Sequence, residues 1–398
     1  MNNASNWKPG APDINNFVVL DIAVSHVTIR ARMNHFRALL FVGIALFLAF
    51  VLGMISKRSL TDIIDIHEHI ESLAKAEEFL RAMDAEGIAR AVLLPSPIET
   101  ITLNGNKSFT GYRENMEEIL RIAEKYPDRF IPFCTVSPRD ADPLALFKWC
   151  MAHGGRGLKL YNGHSYYYDV FGAPLDTPSM MPVYAFAEEK SIPVIYHVNI
   201  NRYGEELERV LSAYPDLRVL VPHFMISSVD ITRVEYFFSR YPNLFTDIGF
   251  GREQFMAAAF RRIGADNEAY RKFFAKYRDR ILFGPDMVLT EVPWKDARYM
   301  KRITRCYRDL LEKEMFRCGP IREYYEEKAA DAREKYARCN PAEDETCLEK
   351  EKNALLFEKR FAETHILRGL ALEEDILERV YAENAERFLQ ESSQGERR

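Results

Sequence analysis

Eight short, apolar, β-branched runs recur between residues 62 and 286, and this rhythm constrains the fold more than any other feature of the chain. They are Asp62–His67, Ala89–Leu94, Phe130–Val136, Gly157–Tyr161, Pro193–His197, Arg218–His223, Leu244–Ile248 and Ile281–Phe283, the last running on to Asp286. Runs this short and this apolar suit strands of a parallel sheet covered on both faces. Amphipathic helical stretches lie between them: Ala74–Ala85, Arg113–Lys125, Pro182–Lys190, Gly204–Tyr214, Val229–Tyr241 and Arg252–Tyr277. The segments KYPDRFIPF, AYPDLRVLV and RYPNLFTDI each show a helix stop at Tyr-Pro followed by a buried strand. Eight βα units in this span predict an α/β protein closed as a (β/α)8 TIM barrel. An open doubly wound sheet is the alternative, but DIHEHIES stands where a glycine-rich dinucleotide turn would follow the first strand.

Around the barrel (59–294) the chain divides further. Residues 1–37 form an N-terminal tail with little pattern. Ala38–Ile55 is an uncharged apolar run with Arg30, Arg32 and Arg37 before it and Lys57 and Arg58 after it. As a helix it spans roughly 27 Å, which predicts a transmembrane helix or signal anchor with the catalytic domain extracytoplasmic; a cleaved signal peptide is the alternative. Residues 295–368 are rich in Arg, Lys and Glu, broken at Gly319-Pro320 and Asn340-Pro341, and read as a helical insertion after strand 8. Within 369–390, a last amphipathic helix over Glu373–Gln390 closes the barrel.

Net charge is −5 without a basic stripe, which argues against nucleic acid and leaves a small-molecule substrate as the expected partner, with a homodimer a further candidate. Of six cysteines, Cys134 and Cys150 fall in a core strand and helix, while Cys306, Cys318, Cys339 and Cys347 cluster in the insertion. No C-x-x-C pair supports a zinc site there. Two disulfides suit the cluster in any of three connectivities, and four unrelated thiols are the bland alternative.

In a parallel barrel, reactive groups collect at the C-terminal ends of the strands. Here those ends carry His67 and His69, Lys159, His197, His223, Asp247 and Asp286, taking four of the chain's nine histidines. His67 and His69 are two apart, so in an extended strand both rings face the same way, with Asp65 one layer deeper. Each position alone has an ordinary structural explanation, a core histidine or a helix cap; their coincidence at strand ends does not. Imidazole and carboxylate together suit one divalent ion, zinc before manganese or iron, held by His67, His69, His197 and Asp286. Asp286 is placed to move the proton of an attacking water, and His223 to orient that water or the carbonyl. Tyr161, His164 and Asp247 are candidate pocket residues, with Tyr166, Tyr167 and Tyr168 in the same aromatic loop.

The order H-x-H, GRGLKLY, IPVIYH, LRVLVPH, NLFTDIG, ILFGPDM and YAENAERFL resembles the amidohydrolase superfamily. The likeness is greatest to its amidohydrolase-related branch, which includes aminocarboxymuconate-semialdehyde decarboxylase and lactonases. It covers roughly residues 61–290 and 373–390; the long insertion departs from it. The resemblance implies a metal on His67, His69, His197 and Asp286, with His223 as acid/base or orienting group. It implies for Lys159 either a carbamylated bridge between two metals or, as favoured here, a substrate contact beside one. The expected activity is hydrolysis of an amide, ester or lactone; non-oxidative decarboxylation and a catalytically silent membrane-tethered binding module are the alternatives.

Overall fold

In the computed structural model, which describes residues 62–102, 108–225, 230–340 and 342–390, all eight apolar runs become strands. They are β1 (Ile63–Glu68), β2 (Ile88–Leu93), β3 (Phe130–Pro132, resumed at Cys134–Thr135), β4 (Leu158–Gly163), β5 (Val194–Val198), β6 (Val219–Leu220), β7 (Leu244–Asp247) and β8 (Ile281–Leu282). Each pairs in parallel with the next. At the break in β3, Phe133 N donates back to Leu93 O and Cys134 N forward to Gly157 O, so one strand serves both neighbours. Between β8 and β1, Ile66 N donates to Phe283 O at 2.9 Å and Asp286 N to His67 O at 3.1 Å. The ring is closed and leaves no free edge among the described residues of the barrel.

Alternate positions of seven strands point inward. Ile64, Ile66, Val92, Leu94, Phe133, Ile195, Leu220, Phe245 and Leu282 form one buried cluster, joined by Ala385 and Phe388 of the closing helix. Gly157 makes room for it: a Cβ there would lie 2.3 Å from the Phe133 ring. The same parity leads up from Ile195 to His197, from Phe245 to Asp247, and from Gly157 to Lys159 and Tyr161. One local expectation fails. Asp65 does not lie in the inner layer; Ile64 and Ile66 do, because pairing with β2 slips between Asp65 and Glu68 and breaks the alternation.

Helices cover the outside. Leu73–Glu86 starts at Ser72, whose side chain accepts from Lys75 N, and stops at Gly87 in the left-handed region with φ 74°. Its buried face, Ala76, Phe79, Ala82 and Met83, follows the three-to-four spacing of an amphipathic helix. The stretch expected as one helix over Arg252–Tyr277 is two, Glu253–Ala265 and Asn267–Lys276, turning at Asp266. The closing segment runs from Glu374 to Leu389 through a π-helical turn at Arg379–Glu383. That turn leaves Val380 O to accept from Phe283 N, and the Asn384 amide donates to Ile281 O at 2.8 Å, so this helix fastens β8. The insertion contains the helices Ala297–Glu312, Gly319–Ala337 and Cys347–Glu363, with Met315–Phe316 (β9) antiparallel to Leu367–Arg368 (β10).

All six cysteines are paired: Cys306 with Cys318, Cys339 with Cys347, and Cys134 with Cys150. The last bond was not expected, because a strand cysteine and a helix cysteine 16 residues apart read as ordinary core. Both are fully buried and tie β3 to the helix Pro143–Ala152. A closed loop of this length is worth about 3 kcal/mol. The double variant Cys134→Ala/Cys150→Ala should therefore lose about that much in urea unfolding, and reductant should not shift its curve further through this bond. An unchanged midpoint would show that the bond adds nothing.

The expectation of a single-pass membrane protein does not stand. Among the described residues no helix is long and apolar enough to cross a membrane, and the Ala38–Ile55 segment lies outside them.

Candidate metal centre

At the mouth of the ring the strand ends bring their polar residues together. His67 Nδ1 donates to Asp247 Oδ2 at 2.7 Å, both groups being fully buried. His69 Nδ1 lies 2.6 Å from Ser96 Oγ, and that hydroxyl already donates to Leu94 O, so it accepts the imidazole proton. His223 Nδ1 donates to Gly249 O at 2.8 Å. These partners fix all three rings as Nδ1–H tautomers and leave each Nε2 as an acceptor, that of His67 facing Lys159 Nζ at 3.1 Å.

The lone pairs converge. His67 Nε2 and His69 Nε2 are 3.2 Å apart. Asp286 Oδ1 is 3.7 Å from the first and 3.4 Å from the second, and Asp286 Oδ2 is 3.7 Å from His223 Nε2. Asp286 Oδ1 is buried without a hydrogen-bond partner. Acceptors packed against acceptors repel unless a cation lies among them; the Lys159 ammonium meets His67 Nε2 but leaves Asp286 Oδ1 unpartnered, so this donor set still fits a divalent metal. His223 joins His67 and Asp286 in a second grouping, with ligand atoms all within 4.8 Å of one another. His197 reaches the cluster through ring contacts, 5.0 Å from His223 and 4.3 Å from His164.

Burial sets the electrostatics. It holds His67, His69 and His197 well below the usual histidine range and lowers His223, so the imidazoles are neutral donors of electron pairs. It raises Asp286, against the opposing pull of Lys159, and lowers the Lys159 amine. Lys159 Nζ stands 3.1 Å from His67 Nε2, inside the centre.

Tyr161 donates to Pro95 O at 2.8 Å, and its oxygen is 3.3 Å from His69 Nδ1. His164 caps the short helix Ser165–Phe171, accepting from Tyr166 N at 3.0 Å, and burial pushes it down to about 4. Asp247 is not a wall of the pocket. It has no exposure, and besides the His67 ring it accepts from the backbone His223 N and Gly249 N, so it orients the His67 imidazole and holds the backbone of the His223 turn. Substitution of Asp247 by Asn should weaken metal binding about 10–100-fold by loosening His67; competition with a chromogenic chelator measures it, and wild-type affinity would refute the role.

Backbone strain gathers at the same place. His223, Phe224 and Met225 have φ of 61°, 48° and 57°, and Asp286 and Val288 have 58° and 50°. Non-glycine residues held there cost about 1–3 kcal/mol each. For β6 the left-handed turn explains why the strand ends at Leu220, short of the expected His223. Ser96, Glu68 and Lys295 were missed from sequence. Ser96 ends the second strand run (LLPS), where the strand-end rule would have found it; the other two carry no such signal.

Imidazole lone pairs and a carboxylate gathered at the mouth of a closed parallel barrel define a metal-dependent enzyme. The family model described as amidohydrolase matches residues 64–390, and the chain belongs to that family. Among solved structures it is similar to an uncharacterised TIM-barrel protein of Bordetella bronchiseptica (17% identity, 82% of this chain and 98% of that one, TM-score 0.49). It is also similar to the 5-carboxyvanillate decarboxylase of Sphingomonas paucimobilis (12%, 84% and 100%, 0.42) and the 4-oxalomesaconate hydratase of Rhodopseudomonas palustris (15%, 76% and 97%, 0.38). No curated protein matches the chain.

Proposed function

We propose that this enzyme hydrolyses the amide, ester or lactone carbonyl of a small molecule, with one divalent ion, zinc before manganese or iron, held by His67, His69, His197 and Asp286. The observation that carries the reading is the convergence of the His67 and His69 Nε2 acceptors on the unpartnered Oδ1 of Asp286. When bound, such an ion supplies Lewis acidity, bringing the pKa of water towards neutral and polarising a carbonyl.

The two oxygens of Asp286 divide the work. Oδ1 faces the H-x-H pair, whereas Oδ2 faces His223 Nε2. A proton taken from the attacking water by Asp286 therefore has His223 as its next neighbour on the way to a leaving group. His223 is held for this by Gly249 O on its other nitrogen. Lys159, a buried cation beside His67, suits an anionic or carbonyl oxygen of the substrate rather than a second metal.

The test is turnover of a panel of amides, esters and lactones by metal-loaded protein, with carbon dioxide measured in the same vessels. Hydrolysis without gas release supports the proposal. Stoichiometric gas release favours a non-oxidative decarboxylase, a second reading prompted by Lys159, whose ammonium would hold a carboxylate against the centre. Intact metal with no turnover of any carbonyl compound would leave only a binding module.

A further inference from the structure

The segment that presents Asp286 has an unusual problem to solve. Both Asp286 and Val288 are left-handed, and a β-branched residue is especially disfavoured there. On one side the segment is fastened to β1: Asp286 N donates to His67 O, Met287 N to Glu68 Oε2, and Leu289 N to His69 O. Those bonds satisfy donors only. The carbonyls of Met287 and Val288 turn the other way, the first into a buried and the second into a part-buried contact, and buried carbonyls need partners.

Lys295 supplies them. Its side chain is 7% exposed, and Nζ donates to Met287 O at 3.0 Å and also to Val288 O. The lysine is itself fixed, since Lys75 Nζ donates to Lys295 O at 3.1 Å while also pairing with Glu78. Lys295 stands at the first turn of the insertion, just ahead of the helix Ala297–Glu312. Further along that helix, the buried Tyr307 hydroxyl accepts from Phe250 N at 2.9 Å, beside Gly249 and Gly251 in the loop after β7. That loop touches the same segment: a Cβ on Gly251 would come within 3.0 Å of Asp286 Oδ2.

We infer that Lys295 is a positioning residue, an ammonium clamp from the insertion that holds the left-handed Asp286–Val288 turn and so aims the Asp286 carboxylate at His67 and His69. The insertion is then part of the centre's scaffold. The inference rests on the proposed metal centre for one of its two readouts only.

The first readout is amide hydrogen exchange of the full-length protein, followed on peptides covering 284–292. Lys295→Met keeps the apolar stem and removes the donors. Exchange in that segment should accelerate at least about 10-fold, since its bonds then open locally, while peptides from β4 and β5 keep wild-type rates. The second readout is cobalt(II) titration followed by visible absorption. Lys295→Met should bind about 10–100-fold more weakly, with an altered spectrum, as loss of an outer orienting group does. Lys295→Arg, which can still donate to both carbonyls, should recover both readouts. Should the Met variant not fold, Lys295→Gln retains one donor and is expected to show the same changes in smaller measure.

Wild-type exchange over 284–292, or acceleration spread evenly over the protein, overturns the clamp. So does local acceleration with unchanged cobalt affinity and spectrum, since the carboxylate would then be aimed by something else. If the wild-type protein binds no cobalt, the metal reading fails by itself, and the exchange result alone decides whether Lys295 holds the turn.

Discussion

Protein carrying His67→Ala should emerge from purification with almost no metal, where the wild-type chain carries about one equivalent. The expectation follows from two roles that one ring performs. His67 Nε2 lies within 3.2 Å of His69 Nε2 and 3.7 Å of Asp286 Oδ1, while its Nδ1 is the partner of the buried Asp247 carboxylate. Truncation removes one electron pair from the centre and leaves Asp247 without that partner, so no neighbouring side chain takes over. Elemental analysis of matched preparations, with far-UV circular dichroism to confirm the barrel, measures the loss. A full equivalent retained by a folded His67→Ala protein would remove the centre from consideration, and two equivalents in the wild type would bring Lys159 forward as a bridging group.

The second large effect is expected from Asp286→Asn. The amide keeps the size of the carboxylate and one oxygen that can still face His67 and His69, but it cannot take up a proton. Turnover at saturating metal should fall by about 10²–10⁴, the usual range for a removed general base, with a much smaller change in metal content than His67→Ala shows. Activity within a few-fold of wild type would transfer the proton role elsewhere, with His223 the next residue to replace.

Much of this arrangement was legible in the linear chain, for physical reasons that differ from residue to residue. Apolar runs and Tyr-Pro stops are local signals, so each of the eight strands lies within a few residues of its expected limits. Period-two alternation then carried His197, Asp247 and Lys159 to the mouth, because the layer beneath them is filled by Ile195 and Phe245 and relieved by Gly157. Asp65 escaped the same rule because a bulge in β1 depends on what β2 offers opposite it. Asp247 was recognised as a strand-end acid, yet its work on His67 and the His223 backbone is visible only once strands 1, 6 and 7 share the mouth of one ring. Cys134–Cys150 and the clamp from Lys295 are likewise products of packing, joining segments with no shared pattern.

The bonds between the Asp286 segment and β1 close the ring and assemble the centre in a single act. Met287 and Glu68, joined there, are separated by 219 residues, so these contacts are among the most non-local in the barrel and slow to be reached from an open chain. A nascent polypeptide on the ribosome thus exposes the H-x-H pair long before its carboxylate counterpart has been synthesised. On the proposed function, affinity for the cation would arrive only near completion of the fold, and a loaded ion would act as a seal on the seam between the first strand and the last.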